Sequence, residues 1–246
     1  MTTTSGTTPY SRNWKRVILR GLGTAGLIAL TMYVVWPNMQ TKTQAQEKKA
    51  AHQVATSAEG ICPIKVGTSL PKITLRTAAD QPFDLNASIA KKPAVLVFYR
   101  GGWCPFCNLQ MAQLRDVQPQ LEKLGYQLLT ISTDRPQELD KSTQKQELKY
   151  TLLSDSKMLA SQALGIAFQV DEATVSKYKG AGLDLEKVSG ERHHLLPVPS
   201  VFVVGTDGII NFSYVNPNYK VRLAPEVLLA AAKAALPQKE QPVLRQ

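Results

Sequence analysis

Short apolar runs alternate with segments of helical periodicity along the chain from about residue 61 onward. The run 94–99 is rich in β-branched and aromatic residues, which is typical of a buried central strand. Further apolar runs predict strands at residues 126–132, 151–153, 201–204 and 209–212. Apolar positions three or four apart, with proline or glycine at the ends, predict helices over residues 105–124, from 136 onward, over 157–164 and over 225–236. The run Thr133-Asp134-Arg135-Pro136 offers a cap for the second of these helices. This alternation predicts an α/β sheet with parallel crossovers.

Three features modify this pattern. Residues 66–75 and 82–85 predict a hairpin that leads into the sheet, and a Gly-Thr-Asp-Gly turn predicts a second hairpin between the last two strands. Pro119 lies inside the long helix and is expected to kink or restart it. Residues 166–196 have no clear period, so they form either a functional loop or a surface insertion with a short helix near 173–178.

The start of the chain differs in character from the rest. Residues 17–36 are apolar, follow a basic segment and are numerous enough to cross a bilayer, which predicts a signal anchor that stays in the membrane. The alternatives are a signal peptide cleaved near Thr43-Gln44-Ala45, which would release the domain, and a mitochondrial transit peptide. The predicted parts are a basic cytoplasmic segment 1–16, the anchor 17–36, a polar linker 37–59, a domain 60–238 and a tail 239–246.

Charge follows the same division. The chain has a formal net charge of +10, and the segment up to Ala58 has seven basic residues against one acidic residue. The excess of basic residues therefore lies mostly in the N-terminal targeting segment, which argues against a role in binding nucleic acid. Because basic residues stay in the cytoplasm, the domain is expected on the periplasmic or extracytoplasmic side.

Only three cysteines occur, at positions 62, 104 and 107. Three are too few for a disulfide scaffold, and one Cys-x-x-Cys pair cannot form a four-cysteine zinc site. Redox chemistry at the pair is the better explanation. Cys62 is either a second resolving cysteine, an intermolecular disulfide partner, or a thiol without function.

The sequence Trp103-Cys104-Pro105-Phe106-Cys107 follows the central strand and the flexible pair Gly101-Gly102. Proline favours the first position of a helix, so Cys104 is expected beside a helix N-terminus. Unpaired N–H groups and the helix dipole favour a thiolate there, which predicts a lowered pKa and a nucleophilic role for Cys104. Cys107 lies on the same helix face and is expected to resolve the bond formed at Cys104.

These elements, in this order, resemble the thioredoxin fold over residues 61–236. The run from Phe98 to Cys107 and the Asp207-Gly208 hairpin resemble the peroxiredoxin-like branch of the alkyl hydroperoxide reductase and thiol-specific antioxidant (AhpC/TSA) family. The resemblance implies a central mixed sheet flanked by helices. It also implies a cis-proline facing the cysteine pair, for which Pro199 is the candidate; Pro197 competes, and the alternative is an ordinary trans turn.

Two departures from true peroxiredoxins stand out. Those enzymes place Thr or Ser three residues before the peroxidatic cysteine and an Arg before the later strand, where this chain has Gly101 and Pro199-Ser200. Arg100 is a candidate cation near the thiolate; the alternative is a solvated surface residue. Trp103 is a candidate for shielding the thiolate, and the alternative is core packing.

Together the residues predict a thiol oxidoreductase, most simply one that exchanges thiols and disulfides outside the cytoplasm with a disulfide-bearing protein as substrate. The alternative from the resemblance is a peroxidase that reduces hydroperoxides. Both require an external thiol reductant, and neither implies an organic cofactor or a metal. A lesser alternative is a copper chaperone that uses His193 and His194 with the cysteine pair.

Overall fold

A computed structural model describes residues 54–146 and 148–236. Nine strands occur in these residues: β1 (Thr74–Thr77), β2 (Pro82–Asp84), β3 (Ala94–Tyr99), β4 (Gln127–Ser132), β5 (Thr151–Ser154), β6 (Ala167–Gln169), β7 (Leu195–Pro197), β8 (Ser200–Val204) and β9 (Ile210–Val215). Seven α-helices accompany them: α1 (Leu85–Lys91), α2 (Pro105–Lys123), α3 (Pro136–Gln146), α4 (Leu159–Ala163), α5 (Glu172–Gly180), α6 (Leu185–Ser189) and α7 (Pro225–Ala234). A short 3₁₀-helix, Ala58–Gly60, precedes the first strand.

The main sheet has seven strands in the order β2-β1-β5-β4-β3-β8-β9. Strand β3 lies between β4, to which it runs parallel, and β8, to which it runs antiparallel. All six residues of β3 are buried, as its continuous apolar sequence predicts for a strand covered on both faces. The α/β sheet of mixed direction, flanked by helices, is therefore confirmed.

Alternation along β3 divides the core into two halves. Val95, Val97 and Tyr99 pack in one cluster with side chains of α2 and α7. Leu96 and Phe98 pack in a second cluster, with side chains of α1 and α4. Successive side chains of a strand point to opposite faces, so β3 contributes to both halves of the core. The end of β3 is consequently a rigid point from which the following turn leaves.

The first predicted hairpin forms, but its first strand is shorter than expected. Strand β1 begins only at Thr74 and pairs antiparallel with β2. The residues before it follow a different course: Gly67 has a positive φ of 85°, and the N–H groups of Gly67 and Leu70 donate to the carbonyls of Ile210 and Gly208. That segment is therefore bound to the β8–β9 turn and the start of β9, at the sheet edge opposite to β2.

The prediction that Pro119 restarts the long helix is wrong, since α2 continues from Pro105 to Lys123 with Pro119 inside it. Burial of Met111, Leu114 and Leu121 on one side of the helix stabilises it as one element despite the missing N–H.

The irregular segment 166–196 is an ordered insertion. Its ends form β6 and β7, which pair antiparallel as a separate two-stranded sheet, and α5 and α6 lie between them. Helix α5 confirms the predicted short helix near 173–178. Residues 54–59, assigned from the sequence to the linker, contact this insertion: Ala55 forms a parallel bridge with Phe168, and its carbonyl accepts from the N–H of Gln169 at 2.8 Å.

The predicted anchor 17–36 lies outside the described residues, as do the basic segment 1–16, most of the linker and all of the tail. Among the residues that are described, none of the helices has both the length and the apolar character needed to span a membrane.

Candidate active site

The turn after β3 delivers both cysteines to the start of α2. Cys104 is the N-cap residue with extended backbone angles (φ −90°, ψ 118°), and Pro105 opens the helix. The N–H of Cys104 donates to the carbonyl of Gly101 at 3.2 Å, and the carbonyl of Cys104 accepts from Asn108 at 3.0 Å. The position of Cys104 beside a helix N-terminus, predicted from Pro105, is therefore confirmed.

The two cysteine side chains form one unit. Both are free thiols, and their residues are 1% and 0% exposed. A hydrogen bond from the Cys107 thiol, the N–H of Cys107, and the charges of Arg100 and Arg222 together lower the pKa of Cys104 to about 6, although burial opposes them. The pKa of Cys107 is raised, because the protonated thiol donates a hydrogen bond to Cys104 and because it is buried.

Arg100 is 5% exposed, so the alternative of a solvated surface residue is wrong. Its guanidinium carbon lies 4.8 Å, 5.6 Å and 4.2 Å from the ring centroids of Trp103, Tyr178 and Tyr219. The guanidinium also donates to the hydroxyl of Tyr178, while its Nε is buried without a partner. Cation–π contacts in a desolvated setting stabilise such a charge. The insertion, through Tyr178 of α5, thus helps to hold a cation near Cys104.

Trp103 packs at the boundary between two apolar clusters. It contacts the main core around the cysteines and the cluster of the insertion that includes Val170, Leu185 and Leu196. Its ring centroid is 6.0 Å from that of Tyr178. Trp103 therefore has a packing role and also lies directly beside the cysteine pair.

Asp134 is a buried residue of the site that the sequence indicated only as part of a helix cap. It is 1% exposed, and its Oδ2 accepts from the N–H of Gly102 at 2.7 Å and from the hydroxyl of Ser132 at 3.2 Å. Burial raises the pKa of Asp134 to about 6, although these hydrogen bonds partly oppose the change. The predicted parallel crossovers were a usable signal for this residue. Because β3 and β4 are parallel neighbours, the residues that follow their carboxyl ends lie close together at the same end of the sheet.

Arg222 is a second residue that the sequence did not reveal. It lies in the loop between β9 and α7, and its guanidinium contacts Cys107 Sγ at 3.3 Å and Gln110 Oε1 at 3.4 Å. Its Nε is buried without a hydrogen-bond partner. Arg222 is 115 positions from Cys107 along the chain, and no local pattern marks it.

The prediction of a cis-proline at Pro199 is wrong, because all peptide bonds of the described residues are trans. The preceding residues are held in an extended course: Pro197 pairs with Ala167 across β6 and β7, and the N–H of Val198 donates to Ile166 at 2.8 Å. This pairing suits the trans bond, which X–Pro sequences prefer by roughly 0.5–1 kcal/mol. Pro199 nevertheless lies at the site, since it lines a pocket of about 330 Å³ together with Arg100, Tyr178 and Tyr219.

The other candidates lie apart from the pair. His193 Nε2 is 2.7 Å from the carbonyl of Ser156, and its Nδ1 accepts from the N–H of Leu195, which assigns the proton to Nε2. His194 contacts Glu186. Within the described part of the chain, no three His, Cys, Asp or Glu residues converge on a metal position.

Cys62 is exposed, and Ile64 nearby packs in the half of the core opposite to the cysteine pair.

Comparisons with known proteins bear on the family and the fold of the chain. The AhpC/TSA family model matches residues 66–213. Peroxiredoxin Bcp of Escherichia coli is 32% identical over 104 residues, which are 42% of this chain and 66% of that protein. A putative peroxiredoxin bcp of Coxiella burnetii is 35% identical over 118 residues, covering 48% of this chain and 76% of the relative. The chain thus spans slightly less than two thirds of the Escherichia coli protein.

Solved structures of similar fold include proteins named as peroxiredoxins. Peroxidoxin BcpB from Mycobacterium tuberculosis aligns with a TM-score of 0.56 at 19% identity, over 71% of this chain and 99% of its own. Reduced Prx3 from Vibrio vulnificus, solved in complex with H₂O₂, aligns with a TM-score of 0.57 at 18% identity, over 69% of this chain and 99% of its own. These likenesses show the thioredoxin-like fold.

Proposed function

Because the chain belongs to the AhpC/TSA family, we propose that it is a thiol-dependent peroxidase that reduces hydroperoxides with Cys104 and Cys107. The observation that carries the proposal is the state of Cys104. Its thiol lies at a helix N-terminus, accepts a hydrogen bond from Cys107 and has a pKa lowered to about 6, so it is a thiolate at neutral pH. A thiolate is the form that attacks peroxide.

The reaction proceeds in two steps at the pair. The Cys104 thiolate attacks one peroxide oxygen; an S–O bond forms, the O–O bond breaks, and the alkoxide or hydroxide leaves and takes up a proton. Cys104 is now a sulfenic acid, oxidised by two electrons. Cys107 attacks its sulfur, a disulfide forms, and water is released. An external thiol reductant then returns two electrons and restores both thiols.

Two arginines replace the groups that peroxiredoxins have at their usual positions. Gly101 and Pro199-Ser200 offer neither a hydroxyl three residues before Cys104 nor the usual arginine. Arg100 and Arg222 both lower the pKa of Cys104 through their charges. We assign to them the electrostatic role of the missing groups.

Thiol–disulfide exchange, which the sequence favoured, is the second candidate. Its specific support is the exposure of α2 beside the pair: Phe106, between the two cysteines, is 37% exposed and Leu109 is 61% exposed, which suits contact with a protein partner. The trans bond at Pro199 removes one reason for this function, and the similarity to peroxiredoxins supports the peroxidase.

An assay with matched oxidants separates the two functions. The reduced full chain, freed of small thiols, is mixed with one equivalent of hydrogen peroxide or with a disulfide-bonded protein such as insulin. We expect peroxide to be consumed in a 1:1 ratio with loss of two thiols, and insulin to react much more slowly. The matched control replaces both Cys104 and Cys107 by serine and retains Cys62. Rapid reaction with insulin and none with peroxide would establish exchange instead.

For localisation, we propose that residues 17–36 anchor the chain in a membrane with the domain on the periplasmic or extracytoplasmic side, as the basic residues before this stretch suggest. The full chain is expected in carbonate-washed membranes, and Leu27→Asp combined with Leu30→Asp is expected to release it. Mass spectrometry of the N-terminus detects cleavage near Ala45. Recovery of the intact, uncleaved chain in the soluble fraction would contradict the anchor.

A further inference from the structure

The two arginines of the site are not equivalent, because their guanidinium groups have different contacts. Arg100 is held among three aromatic rings, and its charge acts on Cys104. Arg222 contacts Cys107 Sγ directly, at 3.3 Å from one of its terminal nitrogens. The charge of Arg222 also lowers the pKa of Cys107 and so favours its thiolate. The charge of Arg100 is not among the main causes of the pKa shift of Cys107.

The position of the Arg222 guanidinium is defined by helix α2. Its other terminal nitrogen lies 3.4 Å from Oε1 of Gln110, a residue that is 6% exposed. Cys107 and Gln110 are three positions apart, so they lie on the same helix face and together bind one guanidinium. The buried Nε has no hydrogen-bond partner, and no carboxylate of the described residues forms an ion pair with this arginine.

We propose that Arg222 is a catalytic residue of the resolving step, which stabilises the Cys107 thiolate as it attacks the Cys104 sulfenic acid. This inference rests on the proposed peroxidase function. Both charges act on the Cys104 thiolate in the attack on peroxide. Arg222, which also contacts Cys107 Sγ, has the additional role of supporting closure of the disulfide.

The chemistry explains why Cys107 needs its own cation. In the reduced protein, the Cys107 thiol donates a hydrogen bond to the Cys104 thiolate. After Cys104 has become a neutral sulfenic acid, that negative charge is gone, and Cys107 must lose its proton to become a nucleophile. When the Cys107 thiolate attacks, the S–S bond forms, the S–O bond breaks, and hydroxide leaves with the proton that Cys107 released, as water. Arg222 stays protonated throughout.

The test separates the two steps in Arg222→Gln and Arg222→Lys, made in the full chain. Formation of sulfenic acid is measured by dimedone trapping and mass spectrometry after one equivalent of hydrogen peroxide, and disulfide formation by rapid quench and thiol counting. In Arg222→Gln we expect disulfide formation to slow by about 10- to 100-fold, the range for loss of a charge-assisted hydrogen bond. Sulfenic acid then accumulates at Cys104. Arg222→Lys is expected to retain much of the rate.

Two further readouts distinguish catalysis from structural support. In Arg222→Gln, raising the pH is expected to restore disulfide formation, because it restores the Cys107 thiolate; a structural defect would not respond in this way. Arg76→Gln is the matched control, since the exposed Arg76 guanidinium contacts the carboxylate and the carbonyl of Asp80 on the hairpin. It is expected to behave as wild type.

The outcomes also separate this inference from the proposed function. Wild-type rates of disulfide formation in Arg222→Gln, or equal slowing of both steps without rescue by pH, would overturn the role of Arg222 alone. If peroxide produces no sulfenic acid in wild type or in Cys107→Ser, both the peroxidase function and this inference fail.

Discussion

Replacing Cys104 by serine is expected to lower the rate constant for hydroperoxide reduction by on the order of 10³-fold or more, since the nucleophile itself is removed. A serine hydroxyl at a helix N-terminus stays protonated at neutral pH, whereas the Cys104 thiol has a pKa lowered to about 6. Peroxide consumption by the reduced full chain, followed over a single turnover, measures the effect.

The remaining cysteines serve as the controls for this prediction. Cys107→Ser is expected to consume peroxide and to stop at the sulfenic acid, because only the second step needs Cys107. Cys62→Ser is expected to match wild type, since Cys62 is exposed and belongs to a segment packed on the other half of the core. If Cys107→Ser abolished the first step while Cys104→Ser retained it, the assigned roles would have to be exchanged.

The pH profile of the first step follows from the same thiol. The reactive form is deprotonated, so the rate is expected to rise with pH, to reach half its maximum near pH 6 and to level off above about pH 7. The largest cause of the lowered pKa is the hydrogen bond from Cys107. Cys107→Ala should therefore move the midpoint to higher pH, whereas Cys107→Ser, which can still donate, should move it less.

Gly101→Ala is expected to lower the free energy of unfolding by about 2–4 kcal/mol and to impair thiol reactivity. Gly101 has a φ of 153°, and a Cβ there would lie 2.3 Å from Trp103 Nε1 and 2.6 Å from Asp134 Oδ1. Neither neighbour moves freely, because the Trp103 ring packs between two clusters and Asp134 is buried with its other oxygen bound to Gly102. Urea unfolding measures the loss of stability.

Gly180→Ala is the matched control for this change. A Cβ at Gly180 would meet nothing within 4 Å, and the residue ends helix α5. Its free energy of unfolding is expected to stay the same or to rise by up to about 1 kcal/mol, because alanine favours the helix and limits the unfolded chain. A Gly101→Ala protein as stable and as reactive as wild type would show that the turn before Cys104 tolerates a side chain.

Several elements of the fold were predictable because their causes are local. The continuous apolar run 94–99 can be satisfied only by burial on both faces, and it forms β3 with every residue buried. Pro105 cannot lie inside a helix without loss of a hydrogen bond but suits its start, so the position of Cys104 followed from one neighbour. Boundaries that depended on distant partners were less well predicted, as in residues 67–70, which are bound to the β8–β9 turn and the start of β9.

Residues of the site show the same contrast. The sequence left Arg100 as either a cation near the thiolate or a solvated residue. Tyr178 of the insertion and Tyr219 of the loop before α7, both distant in sequence, contact its guanidinium and make it a buried cation. The geometry at Pro199 depends on pairing between β6 and β7, which no pattern near the proline indicates. Asp134 was visible only as a helix-cap residue until the parallel pairing of β3 and β4 placed it beside Gly102.

The local sequence was enough to predict the central strand, the helix start and the redox pair at their junction, because backbone preferences and burial act over a few residues. The charges that surround the pair depend instead on contacts between distant parts of the chain. Arg222 reaches Cys107 across 115 positions of chain because α2 and the loop before α7 meet on one face of the sheet. Electrostatic interactions depend on distance in space, and the residues between two charges along the chain do not encode that distance.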